Sequence, residues 1–325
     1  MRHHHRLAVF ATTVAATGSL LLSACSSSGP SSGGTSGAGS TASGSPAAAV
    51  ATGIPTQDVV SSIPTDPAIA AELPADVRSS GTLLLGTTIT PGTSGLPHGG
   101  QVDGQNVGLD VDLRNAVAKV LGVSWNVENG TFATIIPGVQ NGKYQVGQDN
   151  FGVTKAREQV VDFATYLNDG QSFLGAADVK LASVTSITDT CGYTIATSPG
   201  STFQQLLTNA AGKCAAAGKK SWNVQYFADS APIFLGLTNG KVDLYFGPTL
   251  SLKYDATHVA GTKYLGQISS TPVGFVTAKG SPIAKALSDA VNHLIATGAY
   301  AKIFAKWGVG GTEIARSAVN PPATF

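Results

Sequence analysis

Short apolar runs alternate with helix-like segments along most of this chain, and this alternation limits the possible folds more than any other feature. Residues 82–86 form an apolar run closed by Gly86, as is typical of a buried strand. Apolar residues then recur three and four positions apart from Leu113 to Leu121, and Gly122 follows at the position that ends a helix. Strand–helix–strand repetition predicts a mostly parallel sheet flanked by helices, with ligands at its carboxyl edge.

The same alternation continues to the end of the chain. A predicted loop, rich in Gly, Pro and Thr, occupies residues 87–106. We expect further strands at residues 123–128, 143–148, 193–197, 224–227, 242–246 and 272–277. We expect helices at residues 132–139, 231–237, 282–296 and 300–307, and a further helix that is opened by residues 199–202 and contains Phe203, Leu206 and Leu207.

One turn between residues 150 and 166 has the composition of an anion site. Thr154 is a candidate N-cap, and the main-chain N–H groups of the turn after it lack partners within the helix. The Arg157 guanidinium beside them could hold a carboxylate through two parallel hydrogen bonds. The alternative is a surface ion pair of Arg157 with Glu158 or Asp162.

The N-terminus is predicted to export and anchor the protein. Basic residues at 2–6 precede an uncharged apolar run at 7–22, which is shorter than the roughly 20 residues that span a bilayer. The sequence Leu22-Ser23-Ala24-Cys25 resembles the lipobox of bacterial lipoproteins, in which the cysteine is lipidated and becomes the mature N-terminus. We therefore predict a protein held on the outer face of the cell membrane by lipid on Cys25, followed by a flexible Ser/Gly-rich tether. The alternative is that a cysteine occurs there by chance.

Composition and cysteine count exclude several classes of partner. The formal net charge is +1 with no basic stripe, so we expect no nucleic-acid partner. No Cys/His cluster is present, so we expect no metal site. Apart from Cys25, only Cys191 and Cys214 remain. In an exported protein they form either a disulfide, worth about 3 kcal/mol, or two free thiols.

Several motifs occur in an order that resembles one family. They are GLDVDLRNAVAKVLG at 108–122, Phe132-x-x-Ile135-Ile136-Pro137, Thr154-x-x-Arg157, Val161-Asp162-Phe163 and GAYAKI at 298–303. This series is similar to the periplasmic-type solute-binding proteins of polar amino-acid ABC transporters, the bacterial extracellular solute-binding proteins of family 3. The resemblance implies an α/β periplasmic binding protein fold of type II: two lobes, each a mostly parallel sheet flanked by helices, with the ligand cleft between them. The pair Cys191 and Cys214 also matches a pair found in many members.

The resemblance also implies a division of the chain. The expected segments are a signal peptide (1–24), the lipidated cysteine and tether (25–55), an N-terminal extension (56–80), lobe one (81–172 and 273–312), lobe two (177–268) and a C-terminal tail (313–325).

Ligand-binding residues are implied by the same resemblance. Arg157 falls on the arginine that binds the ligand carboxylate, and Phe132 falls on an aromatic residue that stacks on the ligand. The remaining positions, from both lobes, are Asn150, Gly152, Gly200, Ser201 and Thr202. From the residues alone, Ser201 or Thr202 caps a helix whose N-terminus is either a second anion site or an ordinary helix start.

Four positions depart from the family pattern. Gly152 replaces a hydroxyl residue, Gln145 replaces an aspartate, and residues 90–93 with a Gly-rich insertion replace an aromatic-proline motif. The acid of lobe two that pairs with the ligand ammonium is missing at residues 247–249, although an unpaired ammonium in a closed cleft is costly. The residues that could substitute for it are Asp149, Asp229 and Asp243.

The implied activity is binding, not catalysis. A small polar solute, an amino acid or related carboxylate, would be captured by a monomer and delivered to an ABC permease, without a cofactor. The alternatives are an enzyme on the same fold, of dehydratase or cell-wall hydrolase type, and a sensor that no longer serves uptake. For an enzyme, His98 and Glu128 are the candidate acid–base groups, whereas His293 lies on a terminal helix where a structural role is expected.

Overall fold

An eight-stranded sheet runs through residues 53–325, the part of the chain that this computed structural model describes. The predicted signal peptide, Cys25 and almost all of the tether lie outside the described residues. The strands of this sheet are β1 (Thr82–Thr87), β4 (Ser124–Asn129), β5 (Val146–Gly152), β6 (Val161–Ala176), β7 (Thr194–Thr197), β8 (Asn223–Tyr226), β9 (Leu244–Pro248) and β10 (Thr262–Ala278). A separate hairpin is formed by β2 (Gly100–Val102) and β3 (Gln105–Val107).

Helices cover the faces of the sheet. They are α1 (Pro67–Ala70), α2 (Ala75–Ser80), α3 (Leu109–Leu121), α4 (Phe132–Gln140), α5 (Lys155–Glu158), α6 (Thr202–Asn209), α7 (Lys213–Ala216), α8 (Ser230–Thr238), α9 (Thr249–His258), α10 (Ile283–Ala296) and α11 (Ala299–Trp307). As predicted from its glycine, α3 ends at Gly122, whose φ of 65° is a left-handed conformation that suits glycine.

Two long antiparallel strands join two lobes. The strand order is β4-β1-β5-β10-β6-β9-β7-β8, and β6 and β10 pair along almost their whole length. Lobe one contains β1, β4 and β5, and lobe two contains β7, β8 and β9, with parallel pairing inside each set. Each lobe has its own buried apolar clusters. The predicted two-lobed α/β fold is confirmed.

Several elements differ from the sequence prediction. The expected strand at residues 272–277 is the end of the 17-residue β10, and β6 was not predicted from its pattern. The polar run Asn168-Asp169-Gly170 interrupts the apolar pattern of β6 where the strand passes between the lobes. The predicted loop at 87–106 contains a hairpin strand, and α9 was missed because its residues carry no amphipathic pattern.

The segments before and after the lobes pack on lobe one. In the N-terminal extension, the main-chain N–H of Asp66 donates to Val120 O at 2.9 Å, and the Asp66 carboxylate lies 3.2 Å from His293. The C-terminal residues run back beside β6, where Val319 forms an isolated bridge with Ala164.

A disulfide between Cys191 and Cys214 closes a loop in lobe two, with a Cα–Cα distance of 5.6 Å. The expectation of a disulfide is thus confirmed for this structure. Among the described residues, no helix combines the length and apolar character needed to cross a membrane.

Candidate functional site

A cavity of about 580 Å³ lies between the two lobes. Its lobe-one wall comes from the loop after β1, the start of α3 and the end of β5, and its lobe-two wall comes from the starts of α6 and α8 and the end of β9. The charged residues of the lining are His98, Asp110, Arg114, Asp149 and Asp229, and the predicted residues in it are Phe132, Asn150, Ser201 and Thr202.

Direct contacts between the lobes border this cavity. The Ser94 and Ser230 hydroxyls are 3.1 Å apart, and the Ser251 hydroxyl donates to Gly95 O at 3.3 Å. Both contacts come from the glycine-rich loop after β1, so the insertion that departs from the family motif bridges to lobe two.

His98 lies in that loop and joins two buried carboxylates. Its Nε2 lies 2.9 Å from Asp169 Oδ2, and its Nδ1 lies 3.4 Å from Asp110 Oδ2. Burial alone would lower the pKa of His98, but Asp110 and Asp169 outweigh it and raise the pKa to about 10. The imidazole is therefore a cation at neutral pH, and its charge is fully engaged by the two acids.

Asp169, on β6, collects hydrogen bonds from both lobes. Its Oδ2 also accepts from Asn150 Nδ2 at 2.9 Å, and its Oδ1 accepts from the main-chain N–H of Gly170 at 2.7 Å and of Leu250 at 3.2 Å. Asn150 keeps a left-handed φ of 51°, and its Oδ1 is buried with no hydrogen-bond partner among the described residues. The cavity lining therefore contains a residue with a free, buried acceptor.

Two of the three acids proposed as substitutes lie at the cavity. Asp149 extends from β5 and accepts a hydrogen bond from Thr88 Oγ1 at 2.6 Å, and burial raises its pKa to about 6. Asp229 precedes α8, is exposed and lines the lobe-two wall. Asp243 is excluded, because its carboxylate accepts from the Thr194 main-chain N–H at 2.7 Å and it does not line the cavity.

Arg114 is a cavity residue that the sequence analysis missed. It extends from α3, is 5% exposed, and lines the cavity. Burial lowers its pKa, and the nearby Asp110 acts in the opposite direction. The sequence could have indicated that Arg114 lies on the apolar face of the helix, because it is three residues before Val117 and seven before Leu121.

Arg157 does not line the cavity. Its two terminal nitrogens donate to main-chain oxygens, to Gly152 O at 2.8 Å and, across the lobes, to Gly200 O at 2.9 Å. Its guanidinium lies 5.5 Å from the Phe132 ring centroid. The alternative of an ion pair with Glu158 or Asp162 is wrong, since Asp162 pairs with Lys279 at 2.8 Å.

The turn before Arg157 forms as predicted, but a main-chain oxygen of the same chain occupies the predicted anion site. Thr154 caps α5 by accepting from the Arg157 main-chain N–H at 3.2 Å. The main-chain N–H of Lys155 donates to the main-chain oxygen of Phe325 at 3.1 Å.

Two departures from the family pattern have a steric or structural reason. A Cβ at Gly152 would lie 2.7 Å from the Thr271 methyl and 3.3 Å from the Thr202 methyl, so no hydroxyl side chain fits there. Gln145 accepts from the Leu84 main-chain N–H at 2.8 Å, which fixes β1. Neither residue lines the cavity.

The polar groups of the lobe-two loop before α6 form hydrogen bonds mainly with one another. The Gly200 N–H donates to Gln204 Oε1 at 2.7 Å, and Ser201 caps α6 by accepting from the Gln204 N–H at 3.1 Å. The Ser201 hydroxyl donates to Ser198 O at 2.6 Å. Ser201 and Thr202 line the cavity, whereas the main-chain oxygen of Gly200 accepts a hydrogen bond from Arg157.

Comparison with known proteins gives one consistent result. The sequence profile of the bacterial extracellular solute-binding proteins, family 3, matches residues 93–310. The arginine-binding protein ArgT of Corynebacterium glutamicum is 27% identical over 214 residues, which is 64% of this chain and 68% of that protein.

Solved structures agree with the sequence comparison. An ancestral arginine-binding protein bound to arginine superposes with a TM-score of 0.62 at 30% identity, over 70% of this chain and 98% of that one. The ancestral amino acid-binding protein AncCDT-1, a precursor of cyclohexadienyl dehydratase, superposes with a TM-score of 0.62 at 25% identity, over 71% of this chain and 97% of that one.

Proposed function

Since this chain belongs to family 3 of the bacterial extracellular solute-binding proteins, we propose that it captures one amino acid in the cavity between its lobes and delivers it to an ABC importer. The observation that carries the proposal is the interlobe cavity, which is lined by charged, amide and hydroxyl groups. The names of the relatives make arginine the first candidate ligand.

Binding proceeds by closure of one lobe on the other. A solute held by the buried charges of lobe one would be covered when the hydroxyls of lobe two close over it. The contacts Ser94–Ser230 and Arg157–Gly200 hold the closed arrangement. We propose that Arg157 and Phe132, with Asn150, Gly152, Gly200, Ser201 and Thr202, form or support this site.

The location of the protein is the second part of the proposal. Family members are extracellular, as their family description states. We propose that lipid on Cys25 holds this one at the membrane as a monomer, beside the permease. Cys25→Ser should move the protein from the membrane fraction to the medium, and retention of the variant in membranes would contradict the lipid anchor.

Calorimetric titration of the full chain in detergent tests the binding role. The ligands are arginine, lysine, histidine, glutamine and glutamate, and we expect one of them to bind with a dissociation constant below about 10 μM, which corresponds to roughly −7 kcal/mol. Absence of heat with every amino acid would contradict the proposal.

An enzyme remains a second candidate because of Asp149. Its pKa of about 6 is suitable for a general acid or base, and it lines the cavity. If this candidate is correct, product should form during prolonged incubation with a bound solute, followed by NMR, and Asp149→Asn should abolish that turnover.

A further inference from the structure

Residues 317–325, here called the strap, run back along lobe one to the Arg157 turn (residues 154–158). The family profile matches residues 93–310, so the strap lies beyond the matched part of the chain. Within the described structure, none of the strap residues is in the cavity lining. Any effect of the strap on a bound solute therefore passes through the residues that the strap contacts.

The strap begins at a buried anchor on α10. Ser317 is 2% exposed, and its main-chain N–H donates to Asn292 Oδ1 at 2.8 Å. The Asn292 amide returns a hydrogen bond to Ser317 O at 3.2 Å, and the Ser317 hydroxyl donates to Ser288 Oγ at 3.0 Å. These bonds fix the first residue of the strap to lobe one.

The middle of the strap covers an open strand edge. Because β6 pairs with β9 only in its second half, residues 161–167 of β6 are buried with one edge that no described strand covers. The Thr165 N–H donates to Ala318 O at 3.1 Å. The Phe163 N–H donates to Asn320 Oδ1 at 2.8 Å. Unpaired main-chain groups on a buried edge are costly, so these bonds hold the strap in one register along β6.

The end of the strap bonds directly to the Arg157 turn. The Lys155 N–H donates to the main-chain oxygen of Phe325 at 3.1 Å. Lys155 follows Thr154, whose hydroxyl accepts from the Arg157 N–H at 3.2 Å. The strap therefore holds the residue that lies between the cap of the turn and its arginine.

The strap also supports the residue before the turn. The Thr324 hydroxyl lies 3.0 Å from the Thr271 hydroxyl, which donates to Val153 O at 3.2 Å. Ala323 packs against the apolar cluster that contains Val153 and Phe151. The main chain on both sides of the turn's cap residue is thus connected to the strap.

We infer that the strap is a positioning element, which fixes the Arg157 turn for ligand binding without touching the ligand. The inference rests on the proposed function, in which Arg157 forms or supports the binding site. A turn that is already ordered loses less conformational freedom when a ligand binds, so the strap should raise affinity through preorganisation.

Shortening the chain tests the strap with and without a ligand. The first variant ends after Ala323, which removes Thr324 and Phe325 and leaves the anchor and the β6 contacts in place. Thr324→Val removes only the hydroxyl. Thr208→Val is the matched control, at an exposed position on α6 whose side chain makes no hydrogen bond among the described residues. Each protein is titrated in detergent with arginine, lysine, histidine, glutamine and glutamate.

Hydrogen exchange of the ligand-free protein, followed by mass spectrometry, reports the turn itself. In the shortened chain we expect exchange at residues 153–158 to become at least about fivefold faster, while α3 exchanges as in wild type. Thr324→Val should give a smaller change in the same direction, and Thr208→Val should give none.

Calorimetry reports the consequence for binding. In the shortened chain the affinity for whichever amino acid binds should fall about threefold to tenfold, the effect of losing roughly one hydrogen bond. Because the strap does not contact the solute, the ratios of affinity among the amino acids should stay within about twofold of wild type. If the shortened chain fails to fold, the same criteria apply to Thr324→Val.

Three results would overturn the inference and leave the binding function intact. They are unchanged exchange at residues 153–158, faster exchange there with unchanged affinity, and a changed order of preference among the amino acids, which would place the strap in contact with the solute. Failure of wild type to bind any of the five amino acids would overturn the proposed function and, with it, the role of the strap in binding.

Discussion

The two walls of the cavity are built from different chemistry. Lobe one presents buried charge: His98, Asp110 and Arg114 are all less than 10% exposed. Lobe two presents hydroxyl groups on helix starts, such as Ser201 and Ser230, and a single exposed acid, Asp229. The lobes are topologically similar, since each contains three parallel-paired strands, yet the charges have been concentrated in one of them.

This difference indicates an order of events. Buried charges held by a fixed network need no rearrangement to receive an ion, so lobe one is ready before closure. Hydroxyl groups at the surface of lobe two are solvated when the cleft is open and lose water when it closes. We therefore expect lobe one to select the solute and lobe two to retain it.

The largest effect on stability should come from removing the Asp169 carboxylate, which contacts His98 and accepts hydrogen bonds from Asn150 and from two main-chain N–H groups. In Asp169→Ala, His98 loses one carboxylate and the N–H groups of Gly170 and Leu250 lose their acceptor. Breaking a buried ion pair costs about 3–5 kcal/mol, and urea unfolding of the ligand-free protein should show a loss of that size.

The matched control for that experiment is Asp178→Ala, at an exposed position just after β6. Surface substitutions of this kind change the free energy of unfolding by less than about 0.5 kcal/mol. Equal effects of the two substitutions would mean that the buried network does not stabilise lobe one.

Only part of the charged lobe-one wall could be predicted from the sequence. The alternation of strands and helices, the disulfide and the Thr154 cap were predicted because each depends on local pattern or on cysteine count. Placing His98 beside Asp169 requires two residues 71 positions apart to meet, and no local pattern encodes that contact. The position of Gly152 against Thr271 likewise depends on the packing of β5 on β10.

A second experiment tests how far the lobe-two wall depends on the disulfide. The double variant Cys191→Ser with Cys214→Ser removes a crosslink between residues 23 positions apart, which should cost about 3 kcal/mol through the greater freedom of the unfolded chain. Because the disulfide lies outside the cavity lining, ligand affinity measured by calorimetry should change by less than about threefold. A large loss of affinity would show that the crosslink positions the lobe-two wall.

A buried acid in lobe two provides a pH test. Both carboxylate oxygens of Asp255 are buried without a hydrogen-bond partner among the described residues, and burial raises its pKa to about 8. The folded state therefore holds a proton that the unfolded state has lost, so stability should fall as pH rises from about 4 to 8.

Asp255→Asn isolates this contribution, because its amide does not titrate. Asp149, with a pKa of about 6, and His98, with a pKa of about 10, titrate in both proteins and cancel in the difference. Urea unfolding at pH 5, 6.5 and 8 should show wild type losing stability relative to the variant. Parallel curves for the two proteins would contradict the assignment.

The smallest expected effect tests whether the lobe-two wall recognises the solute through side chains. Ser201 uses its hydroxyl twice within its own loop, donating to Ser198 O and accepting from the Gln204 N–H. Ser201→Ala should therefore cost about 1 kcal/mol of stability through the lost helix cap. If lobe two retains the solute mainly by excluding water, ligand affinity should fall only a few-fold in this variant. A hundredfold loss of affinity would mean that the Ser201 hydroxyl leaves its loop partners and binds the ligand. The two walls would then contribute equally to recognition.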